Sequence, residues 1–207
     1  AEGVFAPVKV PNLFEDDRPK KLSAYEGQPA DRDWVIQDWL PTGEISSLYG
    51  DGGVGKSLLA LQLGMAVASG GSFCGIKVSK SMPVLAVMAE DSDDELHRRL
   101  HAIRGIPEYA FEDNEIPFFL WSRAGRDAVI ANVAINDAKI TITEFGTKLD
   151  LQLAEMGEGE KLLILDTLAD IFVGDENNRQ VVNRFVKVVL GGIAKKHNAT
   201  ILMLAHP

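Results

Sequence analysis

In the run Gly50-Asp51-Gly52-Gly53-Val54-Gly55-Lys56-Ser57, a four-residue spacer separates two glycines, and the second is followed at once by a lysine and a hydroxyl. The positions satisfy the pattern G-x-x-x-x-G-K-[ST] throughout. Each residue type answers a chemical demand. Glycines let the backbone turn tightly and approach an anion, while the loop amides and the positive end of a following helix point at it. Lys56 would reach the outer phosphates of a nucleoside triphosphate such as ATP, and the Ser57 hydroxyl would ligate Mg2+. Gly50, Asp51, Gly52, Gly53, Val54, Gly55, Lys56, Ser57 and Leu58 are therefore the candidate nucleotide-binding residues. A glycine turn that carries Lys-Ser by chance is the alternative, and the flanking sequence speaks against it.

Such a loop must join a strand to a helix. Glu44 to Tyr49 (EISSLY) has the form of a short strand entering it, and Leu58 to Ser69 (LLALQLGMAVAS) that of a helix leaving it and stopping at Gly70-Gly71. Three further stretches have the form of strands that end on chemistry. Pro83 to Ala89 (PVLAVMA) is a continuous apolar run, the mark of a strand covered on both faces, and it delivers Glu90. Ser92 then opens a helix, with Glu95 three residues on as in a capping box. Lys161 to Asp166 (KLLILD) ends on an acid suited to the magnesium shell. Many strands end on Asp, so the metal role of Asp166 gains weight only from the loop that precedes it. Thr200 to Ala205 (TILMLA) delivers His206. A lone histidine is usually structural, but this one follows a core strand and should lie beside the phosphates, which suits a sensing role. Open α/β sheets bind ligands at the carboxyl edge of their strands, and that is where Glu90, Asp166 and His206 should meet.

The rest of the chain supplies the frame. At 207 residues it holds one good-sized domain, with ordinary shares of hydrophobic (46%) and charged (25%) residues. No apolar run is long enough to cross a bilayer and no signal peptide stands at the amino end, so no membrane partner is expected. The single cysteine, Cys74, excludes an internal disulfide and fits a reducing cytoplasm. A net charge of −9 argues against a protein that coats nucleic acid through a general basic surface, though a ring can confine positive charge to its channel.

Residues 1–33 read as an arm or lead-in, either mobile or packed on a neighbouring subunit, and residues 34–207 as the domain proper. Trp34 to Gly43 carries two tryptophans that either seal a core edge or cover a base. Ile116 to Trp121 reads as a strand, and Val129 to Val133 with Lys139 to Ile142 as a hairpin around Asn136-Asp137. Phe145, Leu149, Leu153 and Met156 mark one amphipathic helix; Val182, Phe185, Val186, Val189 and Ile193 mark another, ending near His197-Asn198. The polar loop Gly174 to Asn178 is either a solvated turn or a segment that faces bound polymer. The expected fold class is α/β, a mostly parallel sheet flanked by helices with an inserted hairpin.

Taken together, LYGDGGVGKS, VMAED before a Ser-capped acidic helix, LLILDTLADIF with the DENN loop, and TILMLAHP closely resemble the RepA-type plasmid and phage replicative helicases. That family belongs to the RecA-fold ATPases and their DnaB-like hexamers. The resemblance spans about Trp34 to Pro207 and implies a RecA-like P-loop ATPase core in a cytoplasmic homo-hexamer. ATP with Mg2+ would be hydrolysed between subunits, and hydrolysis would drive movement along single-stranded DNA. It also implies roles: Lys56 and Ser57 for phosphate and magnesium, Asp166 for the second acidic motif, Glu90 for activating the attacking water, and His206 for sensing the terminal phosphate. The family's arginine finger and last strands follow the His-bearing strand, so the domain is expected to be truncated at its carboxyl end, with no finger among these residues. A RecA-fold switch or loader that binds partners without unwinding DNA is the competing reading, and a small-molecule kinase a third.

Overall fold

The structure, a computed structural model, describes residues 19–106, 116–133, 140–173 and 178–206. The chain divides into two units, Ala1–Asp31 and Arg32–Pro207. The described part of the first holds one 3-10 turn, Leu22–Tyr25, with no buried residue. The second begins β1 (Trp34–Ile36), β2 (Leu40–Pro41), β3 (Ile45–Tyr49), α1 (Lys56–Ser69), β4 (Ser72–Phe73), β5 (Ile76–Lys77), β6 (Val84–Met88) and α2 (Asp93–Arg104). It continues with β7 (Phe118–Ser122), β8 (Ala131–Val133), β9 (Ile140–Ile142), α3 (Glu144–Glu155), β10 (Lys161–Asp166), α4 (Leu168–Ile171) and β11 (Phe172–Val173). It closes with α5 (Arg179–Arg184), a π-helical turn over Phe185–Leu190, α6 (Gly191–His197) and β12 (Ala199–Ala205). Among the described residues no helix is long and apolar enough to cross a membrane.

A five-stranded sheet in the order β3-β12-β10-β6-β7, parallel throughout, forms the centre. Its inner strands are apolar runs because both faces are covered, and successive side chains alternate between two cores. Val84, Ala86, Met88, Leu162, Ile164, Leu202 and Leu204 join the core beneath α1 and α2. Leu85, Val87, Leu163, Leu165, Ile201, Met203 and Ala205 join the opposite core, beneath α3 and the helices that follow β11. The expected strands at β6, β10 and β12 and the α/β class are thus observed. The expected hairpin is present as β8 with β9, Ala131 opposite Ile142 and Val133 opposite Ile140. Its proposed turn at Asn136-Asp137 lies outside the described residues, as does most of the Gly174 to Asn178 loop. β11 adds a third, parallel strand to the hairpin.

The last helical run departs from the simple stripe that its sequence suggests. Val181, Phe185, Val189, Leu190 and Ala194 are buried, while Val182, Val186 and Ile193 are only partly so. The π-helical turn is the reason: widening the turn brings Leu190, five residues after Phe185, onto the buried face beside Val189. Asp150 of α3 clips onto the far end, accepting from Lys196 Nζ at 2.6 Å and pairing with His197 Nε2 at 2.7 Å.

At the start of α3, the Thr143 hydroxyl accepts from the Gly146 amide at 2.9 Å, a regular N-cap. The cap brings Gly146 so close to the strand that any Cβ there would run into the Ile130 carbonyl oxygen. Backbone cannot yield as a flexible side chain would, so Gly146→Ala is expected to destabilise the fold by about 1–3 kcal/mol. A urea midpoint at or above that of the parent chain would refute this packing.

Candidate nucleotide site

The loop after β3 keeps the geometry its glycines allow. Gly53 (φ 75°) and Gly55 (φ 95°) both lie in the left-handed region, and Gly55 is the N-cap of α1. The helix begins at Lys56, two residues earlier than its apolar pattern suggests, which puts Lys56 and Ser57 in the first turn at the positive end of the dipole. Lys56 is buried; its Nζ donates to the carbonyls of Gly50 (2.7 Å) and Asp51 (2.9 Å) and lies 3.4 Å from His206 Nδ1. The ammonium therefore already points into the cradle of the loop. A methyl group on Gly52 would lie 4.0 Å from His206 Cε1, so the loop and the end of β12 are neighbours. Val54 and Leu58 stand exposed on the outer flank.

Asp166 ends β10 with 3% of its surface exposed. The Ser57 side chain lies near its carboxylate, and Oδ1 has no hydrogen-bond partner among the described residues. Burial pushes its carboxyl above the usual range; the nearby Ser57 hydroxyl opposes this, Glu90 and Asp91 reinforce it, and Lys56 opposes it. A buried carboxylate oxygen without a partner beside a serine hydroxyl is a donor set for a hard cation, so Ser57 and Asp166 fit Mg2+. Among the described residues no group of three or more His, Cys, Asp or Glu could cage a metal. Magnesium commonly takes one or two protein ligands together with phosphate oxygens.

Glu90 lies two residues beyond β6, exposed at the same edge. β6 pairs directly with β10, Met88 level with Asp166, and the Ala89 amide donates to the Asp166 carbonyl at 2.7 Å. His206 follows β12, which lies between β3 and β10. The four strand ends named in the sequence thus belong to one sheet and one edge of it. The two tryptophans lie elsewhere. Trp34 stands beneath Arg32, 5.7 Å from its guanidinium, in a hollow shared with Met82 and Glu160 at the amino edge, remote from the loop. Trp39 packs edge-on against Phe73 at 5.7 Å and closes an apolar cavity with Leu48 and Leu59, a core seal.

Around Glu90 the sequence reading missed three residues. Asp91, almost fully buried, forms an ion pair by distance, Oδ2 lying 2.7 Å from Arg99 Nη1 without hydrogen-bond geometry, and its carbonyl accepts from Ser122 Oγ at 2.6 Å. The capping box is also only half formed. Ser92 accepts from the Glu95 amide at 3.3 Å, but the Glu95 carboxylate turns to Arg98 and Arg99. A buried acid directly before a helix, with an arginine two turns on, was the available signal.

Because the folded pKa of Asp166 is raised above its unfolded value, the sign of its effect is fixed. It leaves stability intact below the unfolded pKa and removes stability as pH rises through the folded pKa. At neutral pH Asp166→Asn should therefore raise the melting temperature of the nucleotide-free protein by roughly 2–4 °C while abolishing the extra stabilisation by magnesium with ATP. A lower melting temperature without ligand would contradict the buried-charge account.

A family model described as an AAA domain matches residues 15–207, well over half of the chain. The match covers the loop with Lys56 and Ser57, the strand before Glu90, and the strands that end at Asp166 and His206. With the parallel α/β sheet and its phosphate-binding loop, it establishes that the chain belongs to the AAA domain family of P-loop ATPases.

Proposed function

We propose that the chain is the ATP-hydrolysing motor of a hexameric replicative DNA helicase of the RepA type, coupling hydrolysis to translocation on single-stranded DNA. The observation that carries this reading is the exposed carboxylate of Glu90, just beyond the strand that pairs with the one ending at Asp166. A protein that only bound nucleotide would need the loop and the metal acid but no second acid at the phosphate edge. The blocks that resemble the replicative helicases support the narrower assignment, including the hexamer and the DNA partner.

The residues divide the work. The loop amides from Gly52 to Ser57 would receive the outer phosphates, and Lys56 would exchange the Gly50 and Asp51 carbonyls for phosphate oxygens. Ser57 and Asp166 would hold magnesium, which would supply neutralising charge at the phosphates. Glu90 would orient a water in line with the terminal phosphate and take its proton. His206, whose Nδ1 lies 3.4 Å from Lys56 Nζ, would register whether that phosphate is present and pass the change along β12. With a net charge of −9, binding to DNA must come from a local surface facing a channel.

The test is ATP turnover by the full chain with and without single-stranded DNA, in the parent and in Glu90→Gln. The parent should be stimulated by DNA, and the variant should bind ATP normally while losing roughly 100-fold or more of its turnover. Turnover indifferent to DNA would assign the chain to the switch and loader class. Near-normal turnover in Glu90→Gln would remove Glu90 from the chemistry.

A further inference from the structure

Glu90 stands in solvent, yet its backbone is held tightly on both sides. Before it, the Ala89 amide donates to the Asp166 carbonyl at 2.7 Å and the Arg123 amide to the Met88 carbonyl at 2.8 Å. After it, Asp91 turns inward, and its buried carboxylate meets Arg99 Nη1 at 2.7 Å. Ser122, at the end of β7, donates its hydroxyl to the Asp91 carbonyl at 2.6 Å. Arg99 is held from its other side by Glu95, whose Oε1 lies 3.0 Å from Nε, and Glu95 is in turn paired with Arg98 at 2.8 Å. Burial pushes the Asp91 carboxyl upward, Arg99 draws it down, and the nearby charges of Glu95 and Glu90 add to the upward push.

An ion pair half withdrawn from water is a poor source of net stability, because desolvation offsets the attraction. It is a good source of fixed geometry. We propose that Asp91, Arg99 and Ser122 form a brace that sets the position of Glu90, so that they are positioning residues for the proposed hydrolysis. The inference rests on the reading of Glu90 given above. Ser122 brings β7 into the site: the outermost strand of the sheet, which carries no residue expected to touch nucleotide, fixes the turn that presents the acid. Arg99 ties the same turn to α2, so the carboxylate cannot drift along the edge without breaking a charged contact. A reacting group displaced by about 1 Å can cost two orders of magnitude in rate, which is the scale on which such a brace matters.

The experiment compares Ser122→Ala, Ser122→Thr and Asp91→Asn in the full chain, measuring turnover, affinity for a fluorescent ATP analogue and melting temperature. Ser122→Ala should lower kcat by up to about tenfold, the worth of one hydrogen bond, and Ser122→Thr, which keeps the hydroxyl, should restore it. Asp91→Asn should lower kcat by about 10- to 100-fold while affinity stays within about twofold. Asp91→Asn leaves Arg99 without its charge partner, so if that variant fails to fold, the Ser122 pair decides the matter. The proposal is overturned if kcat is unchanged in Ser122→Ala, or if kcat, affinity and melting temperature fall together, which would mark a purely structural role. Normal turnover in Glu90→Gln would defeat the reading underneath, whereas an inactive Glu90→Gln beside a fully active Ser122→Ala would defeat the brace alone.

Discussion

The register of the parallel ladder through β3, β12, β10 and β6 is the constraint on which the rest depends. Each inner strand buries side chains on both faces, so slipping by one residue would send every side chain into the wrong core. The register is therefore fixed by apolar packing far from any chemistry. It aligns Tyr49 with Ala205, Leu165 with Met203 and Asp166 with Met88, and so brings the P-loop, His206, Asp166 and Glu90 to one edge. The strands need no catalytic character of their own; they need only end together.

What the edge holds is in part unfavourable to the fold. Asp166 is buried with an oxygen unpaired and with two further acids close enough to raise its pKa. Ser57 offsets some of this and a cation would offset more, so the arrangement makes sense as a site that gains stability when loaded. Lys56 shows the complementary logic. Its ammonium is satisfied by loop carbonyls that a phosphate can replace, so the charge is held ready without being left bare. Around these groups sit purely structural devices, such as the clip of Asp150 onto Lys196 and His197, which join the covering helices and take no part in the edge.

Much of this was legible in the sequence where one physical cause dominates. LLILD and TILMLA are too uniformly apolar to be anything but doubly covered strands, and the spacing of Gly50, Gly55, Lys56 and Ser57 admits few other uses. The helix of Phe145, Leu149 and Leu153 followed from its period alone. Other features depend on causes that no local pattern records. Strand order is one: nothing near TILMLA says that it inserts between β3 and β10. The π-helical turn at Phe185–Leu190 is another, because a widened turn reads as noise in an apolar stretch. The two-residue strands β2, β4, β5 and β11 are too short to show a period. In the site, Lys56 followed from the loop pattern and the places of Glu90, Asp166 and His206 from the strands they end, while the water-activating role of Glu90 came with the resemblance to the replicative helicases. The partnership of Asp91, Arg99 and Ser122 joins three elements and needed the fold to be seen.

The central claim is that four strand ends converge on one triphosphate with an acid in place to activate water. A crystal structure with magnesium and a slowly hydrolysed ATP analogue tests it most directly. The account predicts the metal beside Ser57 and Asp166 and the Glu90 carboxylate facing a water in line with the terminal phosphate. A Glu90 turned away from that phosphate, or a metal bound without Ser57 and Asp166, would contradict it.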